Sequence, residues 1–451
     1  MAYIYRSAVC VIIDIGEVAG DSDYALDAIL TCSEERLYDL RQGIRIRDAV
    51  NKLYERSWFQ RVWVLQEIYM ANKAEAIVLC GARVLPWSAS TPKRIWVDSR
   101  EAQETEHWHV GLPYTVPIPL AVGNHQTRQY TAREDLMSLL CQTRTCAATD
   151  PRDKVFALFS LLSDAASEKL VADYAESHTT VQVYTEIATW LLSKVGISCL
   201  SFVVEQSGLP GIPQELPSWV PDLSSQCRPE WVIGFGDKYS PITASRTTNT
   251  VARVAHSAQG APVLKARGLV ADVIVSLCKM SRNYITNTRI MTDTPTVQEF
   301  VRQSYRRRLL RGEVHLALPV YAQHWVPCTE ETRIHPHDWA QEYGLPLDLT
   351  GDESDNDIAE KIMAFYVGRQ LGISELEYPG VVPNGAQPGD LICVLLGGAL
   401  PFILRKTDDH FRLIGESYIY GLMRGEALDG VALSEAYGED ALVPFHDFWI
   451  W

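Results

Sequence analysis

Residues 8–15, AVCVIIDI, form an unbroken apolar run rich in β-branched side chains and closed by Gly16. A run without alternation predicts a buried strand covered on both faces, as in a parallel sheet. A helix is expected over 23–32. Residues 57–71, SWFQRVWVLQEIYMA, are apolar nearly all round, which predicts a buried helix. Ser57 and Gln60 stand at capping-box spacing at its start. AEAIVLCG, ending at Gly81, reads as a strand, and 88–130 has no sustained period and reads as irregular. Helices are expected near 133–142 and 181–192. Between them TDPRDKVFALFSLL offers Asp150 as N-cap, Pro151 at the first helical position and Asp153 at the positive end of the dipole. That capping role accounts for Asp153 beside Arg152 without a functional ion pair. Two prolines make LPSWVPDLSS (216–225) extended.

From about 250 the pattern changes to short β-type runs separated by Gly, Asp and Asn: VARVAHS, APVLKARGLVADVIVSL, DLICVLLGG, PFILRK and FRLIGESYIYG. A largely helical insertion, about 295–375, interrupts them and carries an exposed acidic loop, GDESDNDIAE (351–360). Three regions follow from these breaks: an α/β start over 1–95, a mainly helical middle over 96–245, and a mixed β-rich α+β domain over 246–451.

Composition narrows the function classes. With 56 acidic against 41 basic residues the net charge is −15, which gives no electrostatic drive toward nucleic acid. The basic face YRRRLLR (305–311) reads as solvated or paired within the chain. Ten cysteines without a Cys-x-x-Cys pair read as free thiols in a reducing compartment, hence a cytoplasmic protein. No stretch approaches the ~20 apolar residues of a membrane span. His335, His337 and Asp338 have metal-ligand chemistry, but Pro336 places them in an extended loop, so no metal site is expected. Walker, dinucleotide-binding and nucleophile-elbow glycine patterns are all missing.

WFQRVWVLQEIYMA (58–71) resembles the most characteristic segment of the heterokaryon-incompatibility (HET) family of filamentous fungi, Trp-Phe-x-Arg-x-Trp-x-x-Gln-Glu. Upstream, YRSAVCVIIDIGE (5–17) resembles the family's tyrosine, alanine, aliphatic-run strand, with Asp14 and Ile15 where Trp-Leu is usual. TDPRDKVFALFSLL, DYAESHTTVQVYTEIA, LPSWVPD, GDLICVLLGGALPFILR and GESYIYGLMRGEAL resemble segments that follow in large members. The family's opening landmarks, Ser-Tyr-x-Trp-Gly and Asp-x-x-Cys-Ile-Asn-Gln, have no counterpart here, so the resemblance is to an N-terminally shortened member.

The resemblance implies a partial TIR-like, flavodoxin-like domain. It also implies non-self recognition and regulated cell death through protein partners. Some TIR relatives cleave NAD with a glutamate four residues after a tryptophan, the spacing of Trp63 and Glu67, which lie on one helical face. Glu67 is thus the candidate catalytic residue, and Trp58, Arg61, Trp63 and Gln66 are candidate ligand-binding or signature residues. NAD would be substrate rather than resident cofactor. The alternative for Glu67 is a buried carboxylate paired with Arg61 or with backbone donors. A third reading is an accessory role in a secondary-metabolite pathway. With the nucleotide-holding loops missing, no activity is expected of this chain as it stands. Oligomeric state does not follow from the sequence.

Overall fold

The computed structural model describes residues 2–31, 40–70, 76–86, 134–162, 171–203, 216–225, 244–247, 252–278, 285–286, 289–290, 369–376, 378–419, 422–428 and 445–451. They fall into two compact units, Met1–Val183 and Tyr184–Trp451. The chain is α+β overall, with helices and mixed sheets. Among the described residues no helix is long and apolar enough to cross a membrane. The irregular stretch 88–130, the histidines of RIHPHDW, the basic face 305–311 and the acidic loop 351–360 lie outside the described residues, as does the expected helical insertion 295–375 up to residue 368; its last part is strand and not helix, over Arg369–Ser374.

In the first unit, helix α1 (Ala2–Ser7) precedes β1 (Ile12–Asp14), followed by α2 (Ser22–Thr31), α3 (Leu40–Tyr54), α4 (Ser57–Gln60), α5 (Val64–Met70), β2 (Ile77–Cys80) and β3 (Arg83–Pro86). β1 runs parallel to β2, with Ile13 opposite Val78, and β2 pairs antiparallel with β3. Parallel neighbours need a long crossover, and α2 to α5 supply it. Helix α3 buries Ile46, Ala49, Val50 and Leu53, the i, i+3, i+4, i+7 positions that put one apolar stripe on the core. With Ile13, Val78 and Leu85 from the sheet and Ala25 and Leu26 from α2, these residues form the unit's core. The expected double cover of the first strand is not what β1 shows. Its burial alternates, with Ile13 at 1% and Ile12 at 60% exposure, because the helices pack on one face. Helices α6 (Glu134–Gln142) and α7 (Asp153–Phe159) complete the unit, and α8 (Thr180–Val195) spans its boundary.

The second unit holds β4 (Ala252–His256), β5 (Pro262–Cys278), the small hairpin β6 (Ile285–Thr286) and β7 (Arg289–Ile290), β8 (Arg369–Ser374), β9 (Pro379–Pro383), β10 (Leu391–Leu395), β11 (Phe402–Thr407), β12 (His410–Glu416), β13 (Tyr418–Ile419) and β14 (His446–Ile450). Five of these strands close on themselves. β5 pairs with β10, β10 with β11, β11 with β12, β12 with β14, and β14 returns to β5. A sheet closed in this way has no free edge within the ring. The 17-residue strand β5 joins the ring to an extension, β8–β9–β13.

Two glycines shape the ring. At Gly268, β5 pairs with both β14 and β10, and a Cβ there would lie 2.4 Å from the Val394 carbonyl oxygen. At Gly415 the β11–β12 register shifts and φ is +148°, a conformation that glycine alone adopts without strain. The interior is aliphatic and aromatic, with Leu264, Phe402, Phe448 and Ile450 fully buried. Among the described residues a buried ion pair links the ring to the β8–β9–β13 extension: Arg369 on β8 meets Glu416 on β12 at 3.0 Å, each side chain about 5% exposed or less.

Ser218, in the LPSWVPD segment, which folds into turns rather than running extended as expected, fastens this closure. Its hydroxyl donates to the Trp451 carbonyl and accepts from the Leu413 amide at 3.0 Å.

Candidate functional site

The Trp-rich signature does not fold as one capped helix. It forms the four-residue α4 and the seven-residue α5, with Arg61 extended between them at φ −84°, ψ 135°. The backbone groups released by this break are taken up by another segment. Arg61 bridges in parallel to Ala147, the Val62 amide donates to the Ala147 carbonyl at 3.0 Å, and the Ala147 amide donates to Gln60 O at 2.5 Å. An apolar surface on all sides is thereby divided between two packing partners. Ser57 makes no side-chain cap, and Gln60 Nε2 reaches instead to Tyr54 O at 2.9 Å.

Trp58 and Phe59 are core residues, at 9% and 4% exposure, with rings edge-to-face at 5.0 Å. Trp63 is only half-buried. Its carbonyl starts α5 by accepting from the Gln66 amide at 3.0 Å and the Glu67 amide at 3.4 Å.

Glu67 is half-buried, and its carboxylate is already engaged. Oε2 accepts from Trp58 Nε1 at 3.1 Å. The Tyr5 phenol from α1 is raised above its ordinary pKa. Burial is the main cause, followed by the Glu67 charge, with Arg61 acting the other way. The indole on Glu67 is therefore that of Trp58 and not of Trp63, and the donor is a side chain rather than the backbone or Arg61. Arg61 itself is exposed. Gln66 is buried at 3% and joins α5 to α7 through Nε2 to Ala157 O at 2.9 Å, while its Oε1 has no hydrogen-bond partner.

The carboxyl ends of β1 and β2, where open α/β sheets take ligands, are spanned by Arg56. Its Nη1 donates to Ile15 O at 2.9 Å and to Cys80 Sγ at 3.3 Å.

Tyr5 was the residue that motif spacing missed, because its contact to Glu67 spans the whole crossover. Its signal was nonetheless present, as the first residue of the aliphatic strand motif.

A second cluster surrounds the start of α7. Asp150 accepts from the Arg152 backbone amide at 2.9 Å and pairs with the Arg152 guanidinium at 2.8 Å, so the ion pair is with Asp150 and not Asp153. Arg152 then donates to Ala175 O at 3.1 Å and His178 O at 2.9 Å, and its guanidinium lies over the Tyr174 ring. The Tyr174 hydroxyl donates to Asp153 at 2.5 Å. The Arg152 hydrogen bond holds the Asp150 carboxyl below the usual carboxylate range. Every member of this cluster is used to hold segment 173–178 on α7. Among the described residues no group of His, Cys, Asp and Glu is arranged to hold a metal ion.

Comparison with known proteins adds three findings. The family model described as Heterokaryon incompatibility protein (HET) matches residues 1–67, ending on Glu67. The Het-6 beta-barrel domain matches residues 344–437, a span that includes β8 to β13. Heterokaryon incompatibility protein 6, OR allele, of Neurospora crassa is 23% identical over 555 residues, covering 97% of this chain and 79% of that protein. No solved structure matches the chain.

Proposed function

Because this chain belongs to the fungal heterokaryon-incompatibility (HET) domain family, we propose that it acts in heterokaryon incompatibility, limiting the viability of fused cells that carry unlike partner alleles. The observation that carries this reading is the joint presence of a HET match and a Het-6 barrel match in a chain that aligns over 97% of its length with the Neurospora protein. In this reading the second unit recognises a partner protein, and recognition releases a cell-death response in the cytoplasm. Cys10, Cys80, Cys141, Cys146, Cys199 and Cys393 form no disulfide, and all but Cys10 are buried, which suits a reducing compartment.

The engaged state of Glu67 favours a structural role for the signature over NAD cleavage. A carboxylate that accepts from Trp58 ties α4 to α5, and a catalytic role would require it to exchange that donor for substrate. The test is genetic. The gene is deleted and restored in one strain, which is then paired with a panel of wild isolates, and viable heterokaryotic colonies are counted. Restoration should lower the count against a subset of isolates only. Equal counts with and without the gene across the panel would remove the incompatibility reading.

A further inference from the structure

On the outer face of the barrel, three strands place cations and an aromatic ring in one row. Trp449 on β14 stands opposite Lys265 on β5, and Lys265 stands opposite Arg253 on β4. At ~4.8 Å between strands the row is about 10 Å long. Arg267 lies two residues along β5, opposite Asp447. Burial alternates as an outward face requires: Ala266, Phe448 and Ile450 are fully buried beneath it, while Trp449 is 40% exposed and Arg253 is exposed.

The charges do not cancel. Asp447 is shared by Lys265 at 2.6 Å and Arg267 at 3.5 Å, and among the described residues Arg253 has no ion-pair partner. Lys265 also lies over the Trp449 ring at 5.3 Å, which fixes the indole beside the cations. Like charges on facing strand positions cost stability, so Arg253 opposite Lys265 is unfavourable for folding alone. The local excess is positive in a chain whose net charge is −15. Beside this row lies the second edge of β4. Among the described residues β4 pairs with β5 alone, none of its side chains is fully buried, and it contains no proline.

We propose that the β4–β5–β14 face is a docking surface for an extended acidic peptide segment of a partner protein. The segment aligns along β4 through main-chain hydrogen bonds, sets carboxylates against Arg253 and Lys265, and lays an apolar side chain on Trp449. Strand addition at an exposed edge supplies affinity, and the side-chain row supplies selection. The acidity of the whole chain disfavours a polynucleotide as occupant. This inference deepens the reading of the protein as one that works through protein partners.

The probe is a fluorescein-labelled peptide alternating glutamate with leucine and phenylalanine, titrated by anisotropy against the full chain. Binding should be saturable with Kd of about 10–100 µM and should weaken as salt is raised. Arg253→Glu should weaken it roughly tenfold, Trp449→Ala should also weaken it, and the Arg253 variant, which replaces a like-charge pair with Lys265 by an opposite-charge pair, should melt no lower than the parent. The lysine counterpart of the peptide should not bind. Absence of saturable binding, equal affinity for Arg253→Glu, or tighter binding of oligothymidylate would each overturn the proposal. If the peptide fails while the paired-strain reaction persists, this surface is wrong and the functional reading stands. If the peptide binds while pairing is unaffected by the gene, the reverse holds.

Discussion

Trp58, Tyr5 and Glu67 carry the signature as a set of three side chains from three helices. Trp58→Ala removes a buried aromatic and a donor to a carboxylate, and is expected to cost about 3–5 kcal/mol. Trp63→Ala, at a half-buried site, should cost about 1–2 kcal/mol. Urea unfolding of the two variants side by side checks the order, and a larger loss for Trp63 would mean that the indole roles are assigned the wrong way round. Tyr5→Phe deletes only the hydroxyl and should cost about 1 kcal/mol. The purified chain is expected to leave NAD intact, with Glu67→Gln indistinguishable from the parent in that assay. Turnover abolished by Glu67→Gln would make the enzyme reading correct.

Helix α7 and the segment that follows it are joined through Arg152, whose fork meets the Asp150 carboxylate and two carbonyls at once. Lysine cannot reproduce that geometry, so Arg152→Lys should expose 171–178 to limited proteolysis nearly as much as Arg152→Ala. Asp150 gives the pH dependence. Its folded pKa is depressed by Arg152, so its contribution is fully present above the unfolded carboxylate value of about 4 and is lost as pH falls through the folded value. Asp150→Asn should flatten the acid side of the stability profile below about pH 4, and an unchanged slope would show that the pair contributes nothing. At this scale the expected and observed elements agree closely where periodicity is strong, as for α2, α6, α8 and the β runs after 250. Helix α3 was overlooked although Ile46, Ala49, Val50 and Leu53 stand at helical spacing, because its arginine-rich polar face dominates the segment's composition.

Closure of the ring is the property of the molecule that depends on contacts farthest apart in sequence. β14 joins β5 about 180 residues away, as the Arg267–Asp447 contact illustrates. The buried Arg369–Glu416 pair tests the interior. Glu416→Gln leaves an arginine charge inside and should cost about 3–5 kcal/mol, while Arg369→Met with Glu416→Leu should be near neutral. Gly268→Val places a side chain against the Val394 carbonyl and should destabilise the second unit by at least about 1–3 kcal/mol. Calorimetry of the three variants gives both outcomes, and a parent-like Gly268→Val would show that β5 and β10 do not approach as closely as described.

By itself the sequence determined the local elements and the family. Strand runs, helix stripes and the spacing Trp58, Arg61, Trp63, Gln66, Glu67 depend on neighbours along the chain, and those were all in view. What only the tertiary structure decided were the partners of those residues. A residue's period says which face it is on, but not whether a second layer covers that face, so Ile12 read as buried and stands 60% exposed. Helical spacing put Trp63 beside Glu67, yet the chain breaks at Arg61 because Ala147 offers its backbone there, and the break brings Trp58 to the carboxylate instead. The β runs after 250 were legible one by one, but whether they form an open sheet or a closed ring depends on pairings between distant segments, β14 with β5 and with β12, which no local pattern encodes.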